Sequence, residues 1–199
     1  MTHQSIKSLL PLKSRRHDRK MLADIALAAA SGKRKLVRQL VRKYLQSHDA
    51  KMVATIRAYT ALPYAARPDE LNVDELAGTL CAWTGTSELV QLFYKRKGHL
   101  SSEKPRLILN FGLKNRALQY LVKAALSAAA NLHPEQYCTL GVQRAISRVT
   151  GLMAAGYVRS IEIDIKNCFP SFKEEKLHEL LPLPKEVINE LHPVLLTPA

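Results

Sequence analysis

Between Lys33 and Gln46 the apolar residues Leu36, Val37, Leu40, Val41, Tyr44 and Leu45 recur at spacings of three and four. That period places them on one face of an α-helix, which has to be buried against something. Arg34, Arg38 and Arg42 recur every four residues on a separate stripe of the same helix. The segment therefore has one face for a core and another for anions. The same imbalance runs through the whole N-terminal third. Up to residue 60 there are fourteen Lys and Arg against Asp18, Asp24 and Asp49, so +11 of the net +13 lies there. Such a surplus repels itself unless counter-ions or phosphates neutralise it, and it points to a polyanionic partner. A solvated helix surface is the bland alternative.

The apolar fraction of 47% and mean hydropathy of −0.13 belong to a globular composition. No apolar run approaches the roughly 20 residues of a spanning helix. The opening MTHQSIKSLLPLKSRRHDRK lacks a long apolar stretch, so a cytoplasmic protein without membrane contact is expected. Cys81, Cys138 and Cys168 are far apart and form no CxxC pair, which favours buried free thiols over a disulfide or zinc framework. The seven histidines fall in no ligand spacing.

Along the chain, residues 17–30 are alanine-rich and helix-compatible, with Ser31 and Gly32 ending the pattern. A helix is predicted over Lys51 to Leu62, then a proline-marked linker over PYAARPDE. Short helices are predicted over Asn72 to Trp83 and Ser87 to Tyr94. A basic loop follows from Tyr94, then a strand over Arg106 to Phe111 and a helix over Asn115 to Leu132. Another helix is predicted over Val142 to Ala155, stopped by Gly156. Tyr157 to Ile165 (YVRSIEIDI) alternates in the manner of a strand, and two amphipathic helices, Lys173 to Leu181 and Pro184 to Leu196, follow it.

The chemistry centres on IEIDIKNCFPSF, residues 161–172. A carboxylate ending an apolar strand, such as Asp164, is costly to bury without a cation, and a divalent metal is one answer. Taken alone, a single aspartate after a strand is more often a turn residue or a helix cap. The order of the surrounding blocks adds to it. KPRLILNFGLKNRALQYLV (104–122), YCTLGVQRAISRV (137–149) and GYVRSIEIDIKNCFPSF (156–172) resemble the first three blocks of prokaryotic reverse transcriptases, in the family's order. The resemblance covers about residues 90–197. The ending DIKNCFPSFKEEKLHELLPLPKEVI is most similar to the antiviral-defence and abortive-infection-like group.

That resemblance implies an α+β protein. It would have a basic helical N-terminal region at 1–62, fingers at 63–155 and the start of a right-hand polymerase palm at 156–199. It implies an RNA-directed DNA polymerase in antiphage defence that transfers dNMP to a 3′-hydroxyl with Mg²⁺ or Mn²⁺. Asp164 would be its catalytic, metal-binding aspartate, with the backbone carbonyl of Ile165 as a neighbouring ligand. Phe169 would be the steric gate beneath the sugar of the incoming nucleotide, a core aromatic being its alternative role. Arg106, with Lys104, Lys97, Lys95 and Arg96, would meet the triphosphate. Arg34, Arg38 and Arg42 would contact nucleic acid, and Arg116 with Gln119 the template or primer backbone, ordinary exposed helix residues being the equal alternative for these two. The implied partners are an RNA template (a cognate non-coding RNA being one source), a DNA product, dNTPs, and a second copy or partner protein. The family's Tyr-x-Asp-Asp turn and the Gln-Gly motif before it do not occur in these 199 residues, so palm and thumb are incomplete and the chain alone is expected to be inactive. A non-catalytic RNA- or DNA-binding module, or an assembly subunit of a defence complex, is the alternative.

Overall fold

The computed structural model describes residues 11–95, 105–130, 136–137, 141–165 and 173–195. Among them are eight α-helices and two strands. The first helix, α1 (Leu12–Ala30), is followed by Ser31, whose hydroxyl donates to the Leu27 carbonyl at 2.8 Å. Gly32 then takes φ of 67°, a left-handed conformation that lets the chain reverse into α2.

Helix α2 (Arg34–Gln46) buries Val37, Val41, Tyr44 and Leu45 of the expected face, with Leu40 half-buried and Leu36, at its edge, exposed. Ser47 ends α2 and begins α3 (His48–Ala61), its hydroxyl accepting the Ala50 amide at 3.4 Å. That cap, with Asp49 in the first turn, starts α3 three residues before the predicted Lys51. Helix α4 (Val73–Thr79) starts at Asn72, whose side chain accepts the Glu75 amide at 3.1 Å. It is shorter than predicted, because the chain turns extended at Leu80 and forms a bridge between Cys81 and Gly85.

The helix predicted over Ser87 to Tyr94 is not formed. Its second half is strand β1 (Gln91–Lys95), paired antiparallel with β2 (Arg106–Asn110) in a register running from Gln91 opposite Asn110 to Lys95 opposite Arg106. Phe93 and Tyr94 suit a pleated surface, and a partner fifteen residues away in sequence outweighs the local pattern.

Helix α5 (Leu113–Ala129) is capped from a distance. Both Glu88 carboxylate oxygens accept amides at its first turn, from Lys114 at 3.2 Å and Asn115 at 2.8 Å. A Cβ at Gly112 would sit 2.4 Å from that carboxylate, so only glycine leaves room for this contact. Helices α6 (Val142–Ala154), α7 (Glu174–Leu180) and α8 (Lys185–Leu195) complete the described chain.

One core joins α1, α2, α3, α5 and α8. Ile25, Val41, Leu45, Leu121 and Val187 are almost wholly enclosed there. Alanines 50, 54 and 58 of α3, and 117 and 125 of α5, are also enclosed, which lets these helices approach closely. A smaller cluster of Met52, Val53, Val73 and Ala77 joins α3 to α4. The core thus crosses the chain near both residue 62 and residue 155. No described helix is long and apolar enough to cross a membrane.

The strand predicted over Tyr157 to Ile165 is an extended stretch without strand pairing among the described residues. Val158, Ile161 and Ile163 are each at least 85% exposed. Alternation sets which side chains share a face, but a strand also needs a hydrogen-bonded neighbour, and among the described residues β1 and β2 pair only with each other.

Candidate functional site

Asp164 lies near the end of the extended stretch after α6, exposed to solvent. Its Oδ1 accepts the amide of the next residue, Ile165, at 3.0 Å. Among the described residues it forms no ion pair with a Lys or Arg and caps no helix. Asp164 and the Ile165 carbonyl would offer two oxygens to a divalent ion. Mg²⁺ takes six, and no cluster of three or more His, Cys, Asp or Glu gathers among the described residues. These two groups are not by themselves a metal cage. Phe169 and Cys168 lie outside the described residues.

The hairpin of β1 and β2 places the backbones of Lys95 and Arg106 opposite each other, at the end from which residues 96–105 emerge. Lys97, Lys104 and Arg96 lie outside the described residues. The geometry therefore gathers the start and finish of the basic loop at one point.

Arg116 is turned inward. Its Nε donates to the Phe111 carbonyl at 2.7 Å and one terminal nitrogen to the Asn110 side chain at 3.2 Å. These bonds fasten the end of β2 to the first turn of α5, leaving less of the guanidinium for a phosphate than the sequence implied. Gln119, on the next turn, is exposed.

The arginine stripe of α2 is where the helical period put it. Arg34, Arg38 and Arg42 are all exposed, in a stripe that flanks the buried face of α2, each three residues before Val37, Val41 or Leu45. Arg38 also makes a long hydrogen bond, 3.5 Å, to the Glu179 carbonyl of α7. Three guanidinium groups at successive turns of a rigid helix match the repeating charge of a nucleic-acid backbone.

Beneath that surface is a polar network the sequence did not reveal. Tyr44 of α2 donates its hydroxyl to the Asp18 carboxylate of α1 at 2.8 Å, with both residues buried. Burial pushes the Asp18 carboxyl above its ordinary pKa, opposed by the Tyr44 hydrogen bond and the charge of Arg57. Burial and the neighbouring carboxylate push the Tyr44 hydroxyl up as well. Nearby, Asp49 is held below the ordinary range by hydrogen bonds from Ser14 and His17. Finding these pairs requires knowing that α1 crosses α2 and α3, and spacings of 26 and 32 residues carry no such signal.

Cys81 is a half-buried free thiol, with its pKa lowered first by a hydrogen bond with Thr84. Cys138 lies outside the described residues. No protein-family model, curated protein or solved structure matches the chain.

Proposed function

We propose that this chain is the fingers and the first palm segment of an RNA-directed DNA polymerase acting in antiphage defence. It would use Mg²⁺ or Mn²⁺, dNTPs and an RNA template. The observation that carries the reading is the order of the three sequence blocks, 104–122, 137–149 and 156–172, with an aspartate after an apolar alternation in the last. Support also comes from the hairpin that gathers a basic loop ahead of the second and third blocks. The accessible Asp164 carboxylate and the exposed arginines of α2 are consistent with it.

In this reading the chain's own groups position and neutralise. The α2 stripe holds a nucleic-acid backbone, Arg106 and its neighbouring lysines neutralise a triphosphate, and Phe169 lies beneath the sugar of the incoming dNTP. Phosphoryl transfer depends mostly on such placement and charge compensation. When bound, the metal would stabilise negative charge on the reacting phosphate, with Asp164 and the Ile165 carbonyl among its ligands.

The test is RNA-templated dNTP incorporation by the protein encoded by the complete reading frame. Asp164→Asn is expected to lower incorporation by at least about a hundredfold, with melting temperature and RNA affinity unchanged. Phe169→Val is expected to admit ribonucleotides. Full activity in Asp164→Asn would remove the polymerase reading, and a reading frame continuing into a Tyr-x-Asp-Asp turn would strengthen it.

A second reading, a non-catalytic nucleic-acid-binding module, is favoured by one observation. The exposed arginines stand on a helix of the enclosed core, while Asp164 stands on a stretch outside it. RNA binding that weakens steeply with salt, without polymerisation by the complete protein, would select this reading.

A further inference from the structure

Three helices enclose a concavity of about 430 Å³ on the side of the core formed by α1, α3 and α5. Its polar lining comes from two elements: Arg57 on α3, and Tyr120, Lys123 and Ser127 on α5. Residues 120, 123, 124, 127 and 128 share one face of α5 by helical spacing. Leu22 of α1 with Ala124 and Ala128 supplies an apolar floor.

No carboxylate lines this concavity. The buried Asp18 lies within the electrostatic reach of Arg57. Even so, the Arg57 and Lys123 side chains form no hydrogen bond or close ion pair with another described residue, nor do the hydroxyls of Tyr120 and Ser127. Two other concavities hold carboxylates: the groove beside Leu71 carries Glu70 and Asp74, and the one between α1 and α2 sets Asp24 beside Lys20 and Lys43. Two cations, two open hydroxyls, an aromatic ring and a small apolar floor together suit a ligand that is anionic at one end and flat and apolar at the other. The volume lies within the usual range for small-molecule sites.

We propose that this concavity seats one nucleotide of a single-stranded nucleic acid. The phosphate bridges Arg57 and Lys123, and the base lies against Tyr120 over Leu22 and Ala124. The site rests on the nucleic-acid contact proposed above but not on any chemistry at Asp164. It adds a place where the strand is held on the helical core. Cations that track a backbone, next to an aromatic ring, are the usual means of holding single strands without reading sequence.

The experiment measures binding of a short fluorescent oligouridylate to the full chain across a salt series. Arg57→Gln with Lys123→Gln is expected to lower the slope of log K against log salt by about 0.7, the value for one lost phosphate contact on a single strand. The charge-matched pair Lys173→Gln with Lys185→Gln is expected to leave the slope at its original value. Tyr120→Leu is expected to weaken binding about five- to a hundredfold, whereas Tyr120→Phe keeps the ring and stays near the original affinity. Thermal melts check that each variant remains folded. Uridine monophosphate should displace the oligonucleotide better than inorganic phosphate. Equal displacement by both would reduce the site to an anion site and overturn the proposal. An unchanged slope in the Arg57 and Lys123 variant, with intact binding by the original chain, would remove this site alone. Failure of the original chain to bind oligouridylate would remove the nucleic-acid reading together with the site.

Discussion

Helix α2 and helix α6 are built on the same plan and end in opposite situations. Each is thirteen residues long with apolar residues at helical spacing. In α2 that face is enclosed by α1, α3 and α5, and Val41 and Leu45 are wholly buried. In α6 the corresponding face of Val142, Ile146, Val149 and Met153 is exposed, and the helix buries no residue. The extended stretch after it repeats the contrast with Val158, Ile161 and Ile163. Amphipathicity specifies which face can be buried, and burial itself requires a partner of matching shape. Side chains of α2 therefore contribute to stability, while those of α6 and 157–165 contribute apolar surface of the kind that marks contact sites.

The largest expected effect tests that difference directly. Leu121→Ala, in the enclosed core, should cost about 2–5 kcal/mol in chemical denaturation. Ile163→Ala should change stability by no more than about 0.5 kcal/mol, as exposed positions usually do. A cost above about 1 kcal/mol at Ile163 would mean that the extended stretch is packed in solution, and the contrast would fail.

A smaller effect concerns the polar part of the same core. Tyr44→Phe removes the hydroxyl that satisfies Asp18 and leaves a buried acceptor without its donor. The expected loss is about 1–3 kcal/mol, the usual cost of orphaning a buried polar group. Asp18→Asn keeps an acceptor for Tyr44 without the charge and should cost less. If Tyr44→Phe were neutral, water would have to reach Asp18, and the enclosure of α1 against α2 would be looser than its geometry.

Much of the packed region was legible from residues alone, and the reasons are local. The α2 boundaries follow from an unbroken period and from Gly32. The β2 strand follows from RLILN, and α5 from its alanines and leucines. What the sequence missed depends on distance. Strand β1 is specified by β2, and Ser87 to Tyr94 carries no strict alternation of its own. The cap of α5 comes from Glu88, twenty-six residues before the amide of Lys114. The pairs Asp18 with Tyr44 and His17 with Asp49, and the Arg57 and Lys123 concavity, exist only once three helices have crossed. The candidate catalytic residues came from a resemblance, because a lone aspartate has no period or spacing to identify it. Asp164 falls on the exposed stretch, and Phe169, Lys97 and Lys104 fall outside the described residues.

The smallest effect separates two carboxylates on opposite sides of the same α1 helix contact. Burial favours the neutral form of Asp18, so the folded protein holds that proton above the ordinary value of 3.8. As pH rises through this window the unfolded chain gives up its proton first. The folded state then binds more protons, and stability falls with rising pH. Asp49 behaves in the opposite sense. Hydrogen bonds from Ser14 and His17 favour its charged form, so its contribution is present above 3.8 and is lost as pH falls through its lowered value. The two limbs therefore lie on opposite sides of 3.8. Asp18→Asn should flatten the stability profile above that pH and leave the acid limb intact, and Asp49→Asn should do the reverse. Denaturation midpoints measured across the range at constant ionic strength separate the two. If the Asp18→Asn profile ran parallel to that of the original protein above 3.8, Asp18 would titrate as an exposed aspartate does, and its burial beneath Tyr44 would not hold in solution.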